Sequence, residues 1–255
     1  MASAARKLVL VTGAGRRLGA DLAQLFAASG HHVLLHANRS VGEAQALASV
    51  LQSQGHAADV VACDLASPET VPAFMADLIA RFGVPETIVN NASLFEYDKP
   101  GSADPEKLKR SLDVHVVSIT RIIEAAVTAK PAPQNLTIFN ILDQKLASLN
   151  PDYFSYTIGK VGLAGITAMW QATRRADLRA FGLLPGLMYP SGKQTGTEFE
   201  QDLKKSPLAR VVSAQDIFEA MAFFLSQPAL PAQNLTIDCG ESLMQRARDV
   251  AYEAT

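Results

Sequence analysis

Two ionisable side chains, Tyr156 and Lys160, stand four residues apart in this chain of 255 residues. At that spacing, both side chains lie on the same face of a helix. A phenol with a pKa of about 10 is a slow acid or base at neutral pH, but a nearby ammonium group favours the phenolate and lowers that pKa. The pair is therefore a candidate site of proton transfer.

A glycine-rich turn lies near the start of the sequence. The apolar run 7–12 leads directly into Thr12–Gly19, which reads TGAGRRLG, and an amphipathic helical pattern follows. Glycines permit a sharp turn, and backbone N–H groups at the start of a helix bind pyrophosphate. The residues expected to contact a dinucleotide here are Gly13, Arg16, Arg17 and Leu18.

No acidic residue follows the second predicted strand, where NAD-selective sites place Asp or Glu against the ribose 2′-hydroxyl. The guanidinium group of Arg39 and the hydroxyl of Ser40 instead suit a 2′-phosphate, so NADP(H) is the predicted cofactor. The alternative is that Arg39 is a solvated residue in a turn. The predicted cofactor contacts in this stretch are His36, Asn38, Arg39 and Ser40.

Polar residues also end the third and fourth predicted strands. Asp64 either hydrogen-bonds the adenine edge or caps the helix that follows. The side-chain amides of Asn90 and Asn91 either hold neighbouring loops together or touch the cofactor, and we favour the structural role. Ala92 and Ser93 complete this strand end.

The elements that must position these residues alternate along the chain. Predicted strands span 7–12, 32–36, 58–62, 87–90, 135–142, 178–184 and 235–238. Predicted helices span 18–29, 42–54, 68–82, 105–128, 154–176 and 214–226. Strands that are apolar throughout indicate a parallel sheet covered by helices on both faces. The sequence therefore predicts an α/β fold that forms a single domain over residues 1–255.

The segment 187–209 interrupts this alternation. It carries Gly192, Gly196 and several lysines and glutamates, and it shows no apolar period. Because it follows a predicted strand, it lies at the carboxyl edge of the sheet, where ligands bind in such folds. We interpret it as a mobile substrate lid, and the alternative is a surface excursion without a function.

Composition excludes several classes of function. The formal net charge is −2, the pI is about 6.2, and lysine and arginine are scattered, so neither nucleic acid nor anionic lipid is an expected partner. No run of about 18 apolar residues is present, which predicts no membrane span. His31, His32 and His56 lack ligand spacing, so no metal site is expected. We expect a cytoplasmic protein that acts on a small molecule.

In order and spacing, four motifs resemble those of short-chain dehydrogenases/reductases: Thr12–Gly19, Asn90-Asn91-Ala92, Tyr156-x-x-x-Lys160 and Pro185-Gly186. The resemblance extends over essentially the whole chain, to 237–240. It implies a Rossmann-type, doubly wound parallel sheet in three layers, proton transfer through Tyr156 and a nicotinamide ribose held by Lys160. It also implies cofactor contacts at Pro185 and Gly186 and a homo-oligomer, usually a tetramer.

The sequence departs from the commonest family pattern at three positions: Arg17 replaces a glycine, Asp143 replaces a serine, and His115 replaces an asparagine. The first two departures, together with 91–95, resemble the pteridine reductase branch. That resemblance implies a pterin ring stacked between Phe95 and nicotinamide, with Ser93 at its edge. It also implies that Arg17 faces pyrophosphate and substrate, and that Asp143 stands beside Tyr156.

Asp143 has a coherent chemistry in such a site. A serine hydroxyl donates a hydrogen bond to a carbonyl oxygen, whereas an aspartate accepts one from the N–H groups of a pterin ring. An ionised Asp143 raises the pKa of Tyr156 by like-charge repulsion and so favours proton donation. Alternatively, Asp143 is itself protonated and shares its proton with the substrate, or it merely caps a turn. His115 either assists Lys160 through water or is a satisfied helix histidine, which we favour.

Three functions are compatible with these residues. The first is NADPH-dependent reduction of a dihydropterin-like ring, with Tyr156 as the proton donor. The second is an NADPH-dependent carbonyl reductase of ketones or 3-oxoacyl thioesters, against which Asp143 argues because an anion repels a developing alkoxide. The third is a cofactor-binding scaffold without turnover, which the presence of both Tyr156 and Lys160 disfavours.

Overall fold

A computed structural model describes residues 6–191 and 194–252 of the chain. Its strands are β1 (Leu8–Val11), β2 (His32–Ala37), β3 (Ala57–Ala62), β4 (Thr87–Asn90), β5 (Leu136–Ile141), β6 (Leu178–Pro185) and β7 (Asn234–Ile237). All neighbouring strands pair in parallel, in the order β3-β2-β1-β4-β5-β6-β7. The predicted α/β fold with one parallel sheet is confirmed. Each predicted strand differs from the observed one by no more than one residue at either end.

The helices cover both faces of this sheet. They are α1 (Arg17–Ala28), α2 (Val41–Ser53), α3 (Val71–Phe82), α4 (Pro105–Leu112), α5 (Ser118–Ala129), α6 (Phe154–Ala172), α7 (Gly196–Leu203) and α8 (Ala214–Ser226). Within β1, Val9 and Val11 pack on the side of α1, α2 and α8, while Leu8 and Leu10 pack on the side of α3, α5 and α6. This alternation along a strand buried on both faces builds two apolar cores and a three-layer domain.

The long helix predicted over 105–128 is interrupted. A π-helical turn, Asp113–Val117, separates α4 from α5 and contains the buried His115. Such turns widen the helix by one residue and often occur at functional sites. The predicted helix 154–176 ends earlier, at Ala172.

The segment 187–209 contains a helix that the sequence analysis did not predict. Helix α7 begins at a capping box, in which Thr195 accepts the N–H of Glu198 and the Glu198 carboxylate accepts the N–H of Thr195. The Thr-x-x-Glu pattern at 195–198 is the sequence signal for this start. Gly192 and Lys193 lie outside the described residues, and the lid itself stays a prediction. In the described ranges, no helix is long and apolar enough to cross a membrane.

Candidate active site

A cavity of about 590 Å³ opens at the carboxyl edge of the sheet. The cavity lies at the ends of β1 and β4, which are neighbours in the sheet. The chain continues from β1 to β2 on one side and from β4 to β5 on the other, and ligands bind at such a switch point in doubly wound folds. Every residue predicted for the site lines it: Gly13, Arg16, Arg17, Leu18, His36, Asn38, Arg39, Ser40, Asp64, Asn91, Ala92, Ser93, Phe95, Asp143, Tyr156, Lys160, Pro185 and Gly186. The fold therefore gathers them into one place, whereas their individual roles stay predictions.

The turn between β1 and α1 is packed too closely for side chains at its glycines. A Cβ on Gly15 would lie 2.2 Å from Ser40 Oγ, and one on Gly19 would lie 2.2 Å from the Gly13 carbonyl oxygen. Gly13 itself has a φ of +67°, which favours glycine. These contacts bring the backbone of the turn against the end of β2, where the N–H of Ala14 donates to the His36 carbonyl at 2.8 Å.

Arg17 occupies a backbone position that suits glycine. Its φ is +53°, in the left-handed region, where a side chain is strained. Its guanidinium group donates to the Pro190 carbonyl at 3.2 Å and lies 5.1 Å from the Tyr189 ring centroid. Arg17 therefore links the glycine turn to the segment after β6, at the rim of the cavity.

His36 supports the glycine turn from below. Its Nδ1 accepts the N–H of Gly13 at 3.2 Å, and its Nε2 donates to the Cys63 carbonyl at 3.1 Å. Because both ring nitrogens are engaged by backbone groups and the residue is buried, His36 positions the glycine turn, and its direct contact with the cofactor stays a prediction.

Burial lowers the pKa of His36 to about 4, so the ring is neutral in the folded protein at pH 7. Between about pH 4 and 6.5 the unfolded chain binds more protons, and stability therefore falls as the pH falls. From pH 7 to pH 5 this histidine should cost about 2 kcal/mol of unfolding free energy. The loss should be smaller by about that amount in His36→Asn, as measured by urea unfolding at both pH values. His56→Asn, in the turn before β3, should retain the full loss, and equal losses in all three proteins would contradict this assignment.

Asn91 and Thr12 join the two strand ends that flank the switch point. The side chain of Asn91 donates to the carbonyls of Thr12 and Gly13, at 2.9 and 3.3 Å. Thr12 Oγ1 accepts the N–H groups of Asn91 and Ala92. Asn90 donates to Asn140 across β4 and β5. The structural role that we favoured for both asparagines is therefore present in the contacts.

The far end of the cavity is lined by exposed polar residues from the ends of β2 and β3. Asn38 and Arg39 are exposed, and Ser40 lies against the glycine turn. Asp64 accepts the N–H of Ala66 at 2.9 Å, so it stabilises the turn after β3 and does not cap α3, which begins at Val71. Arg16 forms an ion pair of 3.7 Å with Glu43 at the surface.

Tyr156 and Asp143 meet at the other end of the cavity. The Tyr156 hydroxyl donates to Asp143 Oδ2 at 2.5 Å. Asp143 lies two residues beyond the end of β5 and is fixed by the N–H of Lys145, which donates to its Oδ1 at 2.8 Å. Tyr156 is in the first turn of α6, so the carboxyl edge of the sheet and the start of the helix hold the two groups together.

Burial raises both pKa values in this pair. The pKa of Tyr156 lies well above its usual value, first because the phenol is buried and then because Asp143 is negatively charged. Burial also raises the pKa of Asp143, although the hydrogen bond from Tyr156 opposes the rise. With its pKa raised, the Tyr156 phenol keeps its proton at neutral pH, which suits a proton donor.

Lys160 lies one helical turn beyond Tyr156 and is buried. Its ammonium group donates to the Ile141 carbonyl at 2.6 Å and lies 5.7 Å from the Tyr156 ring centroid. Burial lowers its pKa to about 8, with the charge of Asp143 acting in the opposite direction. The predicted convergence of phenol, ammonium and carboxylate is thus present in the geometry.

His115 is held on both ring nitrogens. Nε2 lies 2.9 Å from Ser93 Oγ, and Nδ1 lies 3.1 Å from Ser111 Oγ. Burial and the nearby Lys160 lower its pKa, which keeps the ring neutral. These contacts fit the interpretation of a satisfied helix histidine, and they also orient the Ser93 hydroxyl.

Phe95 forms part of the cavity wall above Tyr156. One face of its ring stacks on Tyr153, with centroids 4.0 Å apart, and it meets the Tyr156 ring edge-to-face at 4.7 Å. The side chain is 44% exposed, which leaves apolar ring surface at the cavity. On the opposite side, Gly186 passes so close to β7 that a Cβ would lie 2.7 Å from Asp238 Cα.

Comparison with known proteins identifies the family. The family model described as enoyl-(acyl carrier protein) reductase matches residues 13–242, which include the glycine turn, Tyr156 and Lys160. The chain belongs to the short-chain dehydrogenase/reductase family. Members of this family use nicotinamide cofactors. Because the chain belongs to the family, it is an oxidoreductase.

Two solved structures of the family superpose closely on this chain. FolM alternative dihydrofolate reductase 1 from Brucella suis, in complex with NADP, is 32% identical with a TM-score of 0.89, over 93% of this chain and 95% of that one. The Brucella canis protein of the same description, also with NADP, is 33% identical with a TM-score of 0.88, over 93% and 94%.

Characterised relatives by sequence are more distant. Trans-4-hydroxycyclohexanecarboxylate dehydrogenase from Sinomonas cyclohexanicum is 28% identical over 97% of both chains. The 3-oxoacyl-[acyl-carrier-protein] reductase FabG of Staphylococcus aureus (strain Mu50 / ATCC 700699) is 25% identical over 88% of this chain and 92% of its own.

The short-chain dehydrogenase/reductase cavity also contains residues that sequence reasoning missed. They are Glu96, Arg110, Gln144, Lys145, Met188, Tyr189 and Asp249, among others. Gln144 and Lys145 directly follow Asp143, so their position at the strand end was the available signal. Asp249 lies near the end of the sequence and belongs to no motif, so only the fold brings it to the cavity.

Proposed function

We propose that this protein is an NADPH-dependent reductase of a dihydropterin-like ring, in the pteridine reductase branch of its family. The hydrogen bond between Tyr156 and Asp143 is the observation that carries the proposal, because it places a carboxylate beside the proton donor. Similarity to two structures described as alternative dihydrofolate reductases, both with NADP, supports it.

The residues of the cavity fit a dinucleotide. The glycine turn has no room for Cβ atoms at Gly15 and Gly19, and in the described residues no side chain caps the start of α1. By contrast, α7 and α8 each begin with a capping box. The free N–H groups of α1 therefore suit a pyrophosphate. When bound, the cofactor would supply the hydride.

The other proposed cofactor contacts come from residues after successive strands of the sheet and from α6. Arg39 and Ser40 would hold the 2′-phosphate, with Asn38 beside them, and Asp64 would face the adenine. Lys160 would hold the nicotinamide ribose. The remaining contacts would come from Gly13, Arg16, Arg17, Leu18, Asn91, Ala92, Ser93, Pro185 and Gly186, all of which line the cavity.

Replacing Arg39 with alanine should weaken NADPH binding by about tenfold to a hundredfold, because a charge-assisted contact to the 2′-phosphate is lost. NADH binding should change by less than about twofold, since NADH lacks that phosphate. Both dissociation constants are measurable by fluorescence titration.

Arg81→Ala is the control, because Arg81 is an exposed arginine on α3 that pairs with Asp77 and does not line the cavity. Preference of the wild type for NADH, or equal losses for both cofactors in Arg39→Ala, would contradict the assignment of the phosphate to Arg39.

Tyr156 would donate the proton that accompanies hydride transfer to a C=N or C=C bond of the ring. The Tyr156 hydroxyl donates to Asp143 in the structure, so it must turn from the carboxylate to a substrate atom. Asp143 would then accept a hydrogen bond from a ring N–H group or, when protonated, share its proton with the ring. The ammonium of Lys160 would stabilise the phenolate that remains until solvent returns the proton.

Three further side chains would position the substrate. Phe95 is 44% exposed and would offer its free ring surface for stacking with the substrate ring. Ser93, oriented by His115, would bond the ring edge. Arg17 would reach both pyrophosphate and substrate from the rim.

Reduction of a carbonyl group is the second candidate. The similarity to FabG, described as a 3-oxoacyl-[acyl-carrier-protein] reductase, favours it. Asp143 argues against it, because an ionised carboxylate beside a developing alkoxide is repulsive.

A substrate panel separates these candidates. We expect NADPH oxidation, followed by absorbance, to be faster with dihydropterins and dihydrofolate than with ketones or 3-oxoacyl thioesters. Faster reduction of the carbonyl compounds would refute the proposed function in favour of the second candidate. Tight NADPH binding without turnover of any compound would indicate a cofactor-binding scaffold.

We also propose a homo-oligomer, a tetramer on the family pattern. Helix α6 leaves apolar side chains at the surface, with Val161 45% and Met169 72% exposed. A helix that is apolar on more than one side is usually covered on more than one side.

A further inference from the structure

The C-terminal part of the described chain, residues 245–252, reaches the cavity through Asp249, and we call this stretch the wall. Within the stretch 245–252, Asp249 lines the cavity together with Asp143 and Lys145. Its carboxylate is partly exposed, at 23% of the side chain. The mechanism given above uses neither Asp249 nor this wall.

Asp152 anchors the wall to the start of the catalytic helix. Its fully buried carboxylate accepts two hydrogen bonds from the Arg248 guanidinium, at 2.7 and 2.8 Å, and one from the N–H of Asp249 at 2.8 Å. The Tyr97 hydroxyl donates to it at 3.1 Å. Hydrogen bonds from Arg248 are the main reason that the pKa of Asp152 is lowered to about 2.

Lys145 connects the wall to Asp143. Its backbone N–H donates to Asp143 at 2.8 Å, and its buried ammonium group forms an ion pair of 3.3 Å with Asp249. The same ammonium donates to the Asp152 carbonyl at 2.7 Å. A single residue thus holds two carboxylates at the same end of the cavity.

Aromatic contacts complete the attachment. Tyr252 packs against Tyr97, with ring centroids 5.0 Å apart, and its hydroxyl lies 3.5 Å from that of Tyr153. Tyr153 in turn stacks on Phe95, the ring proposed to hold the substrate. The wall is therefore continuous with the substrate end of the cavity.

We propose that Asp249 is a specificity-determining residue whose carboxylate accepts hydrogen bonds from N–H groups of the substrate ring, beside Asp143. This inference rests on the proposed function and extends it to a second recognition group. An amino-substituted nitrogen heterocycle presents several N–H donors on one edge, and two carboxylates match more of them than one does. A ketone offers no such donors, so Asp249 would favour nitrogen heterocycles over carbonyl compounds.

The Asp249 side chain is not the only group in the described residues that attaches the wall to the domain. Arg248, the backbone N–H of Asp249 and the Tyr252 ring already join the segment to the domain. The Asp249 charge also reaches the catalytic group, since it contributes to the raised pKa of Tyr156. A carboxylate that lines the cavity and acts electrostatically on the proton donor is well placed to contact substrate.

The test compares two variants of the full chain saturated with NADP. In Asp249→Asn, which keeps the size and an acceptor for Ala251, the affinity for 2,4-diaminopteridine should fall about tenfold to a hundredfold by calorimetry. NADPH affinity should stay near the wild-type value, and the Tm should fall less than in Arg248→Ala, because the Lys145 ammonium keeps its hydrogen bond to the Asp152 carbonyl. Arg248→Ala loosens the wall without removing a cavity carboxylate, so it should lower the Tm and change the probe affinity by less than about threefold.

The outcomes distinguish this inference from the proposed function. Unchanged probe binding by Asp249→Asn, or a loss of probe affinity accompanied by an equal loss of NADPH affinity, would overturn it. A wild type that does not bind the probe would overturn it as well. If the wild type binds the probe through Asp249 but reduces no dihydropterin, the recognition site stands and the proposed function fails.

Discussion

Replacement of Tyr156 by phenylalanine is expected to lower kcat for dihydropterin reduction by about a hundredfold to ten thousandfold, the range found when a positioned proton donor is removed. The phenol is the group whose hydroxyl points at Asp143 in the cavity, and phenylalanine keeps the ring that packs against Phe95. Because the hydroxyl is not proposed to bind NADPH, the dissociation constant for NADPH should change by less than about threefold. Steady-state rates and fluorescence titration measure the two effects separately.

Tyr153→Phe is the matched control for that variant. Tyr153 is a buried tyrosine three residues away, and its hydroxyl faces Tyr252 rather than Asp143. We expect its kcat to stay within about fivefold of the wild type, since no proton donor is removed. A Tyr156→Phe enzyme with similar residual activity would show that the proton comes from another group.

Replacement of Asp143 by serine is expected to lower kcat/KM for dihydropterins by about a hundredfold to a thousandfold, with little effect on NADPH affinity. Serine removes the acceptor for ring N–H groups and the charge that raises the pKa of Tyr156. Serine also supplies a hydroxyl that can donate to a carbonyl oxygen, so the ratio of ketone to pterin turnover should rise.

Asp143→Asn separates charge from shape in the same position. It keeps one acceptor oxygen for the N–H of Lys145 but cannot carry a negative charge or share a carboxyl proton. Pterin turnover should fall in this variant too, without a gain in ketone reduction. Equal losses of pterin turnover and NADPH affinity in Asp143→Ser would show instead that Asp143 supports the fold of the site.

The strands and the cofactor turn were predictable because local patterns determine them. The apolar run of β1 and the glycines that follow it are adjacent in sequence, and the close approach of Gly15 to Ser40 permits only glycine. Asp143 was predictable from the family pattern, in which it replaces a serine, and it lies just beyond β5 at the edge to which parallel strands bring their carboxyl ends. The predicted cavity residues therefore came together as the fold required.

Features that depend on long-range packing were not predictable. The π-helical turn contains His115, which hydrogen-bonds to Ser93 and Ser111, and no local pattern reveals this turn or these contacts. His36 ends β2 like the other strand-end residues, yet both of its ring nitrogens bond to backbone groups, a positioning role that the sequence pattern did not reveal. Asp249 is held at the cavity by Lys145 and by Asp152, which lies 97 residues earlier in the chain.

The most direct test of the central claim is a crystal structure of the protein with NADP and a pteridine bound. We predict that the pteridine ring lies on Phe95, with Tyr156 Oη and an Asp143 carboxylate oxygen both within hydrogen-bonding distance of its ring or amino nitrogens. A complex in which the pteridine binds outside this cavity, or in which Asp143 turns away from an occupied site, would contradict the assignment of proton transfer and recognition to these two residues.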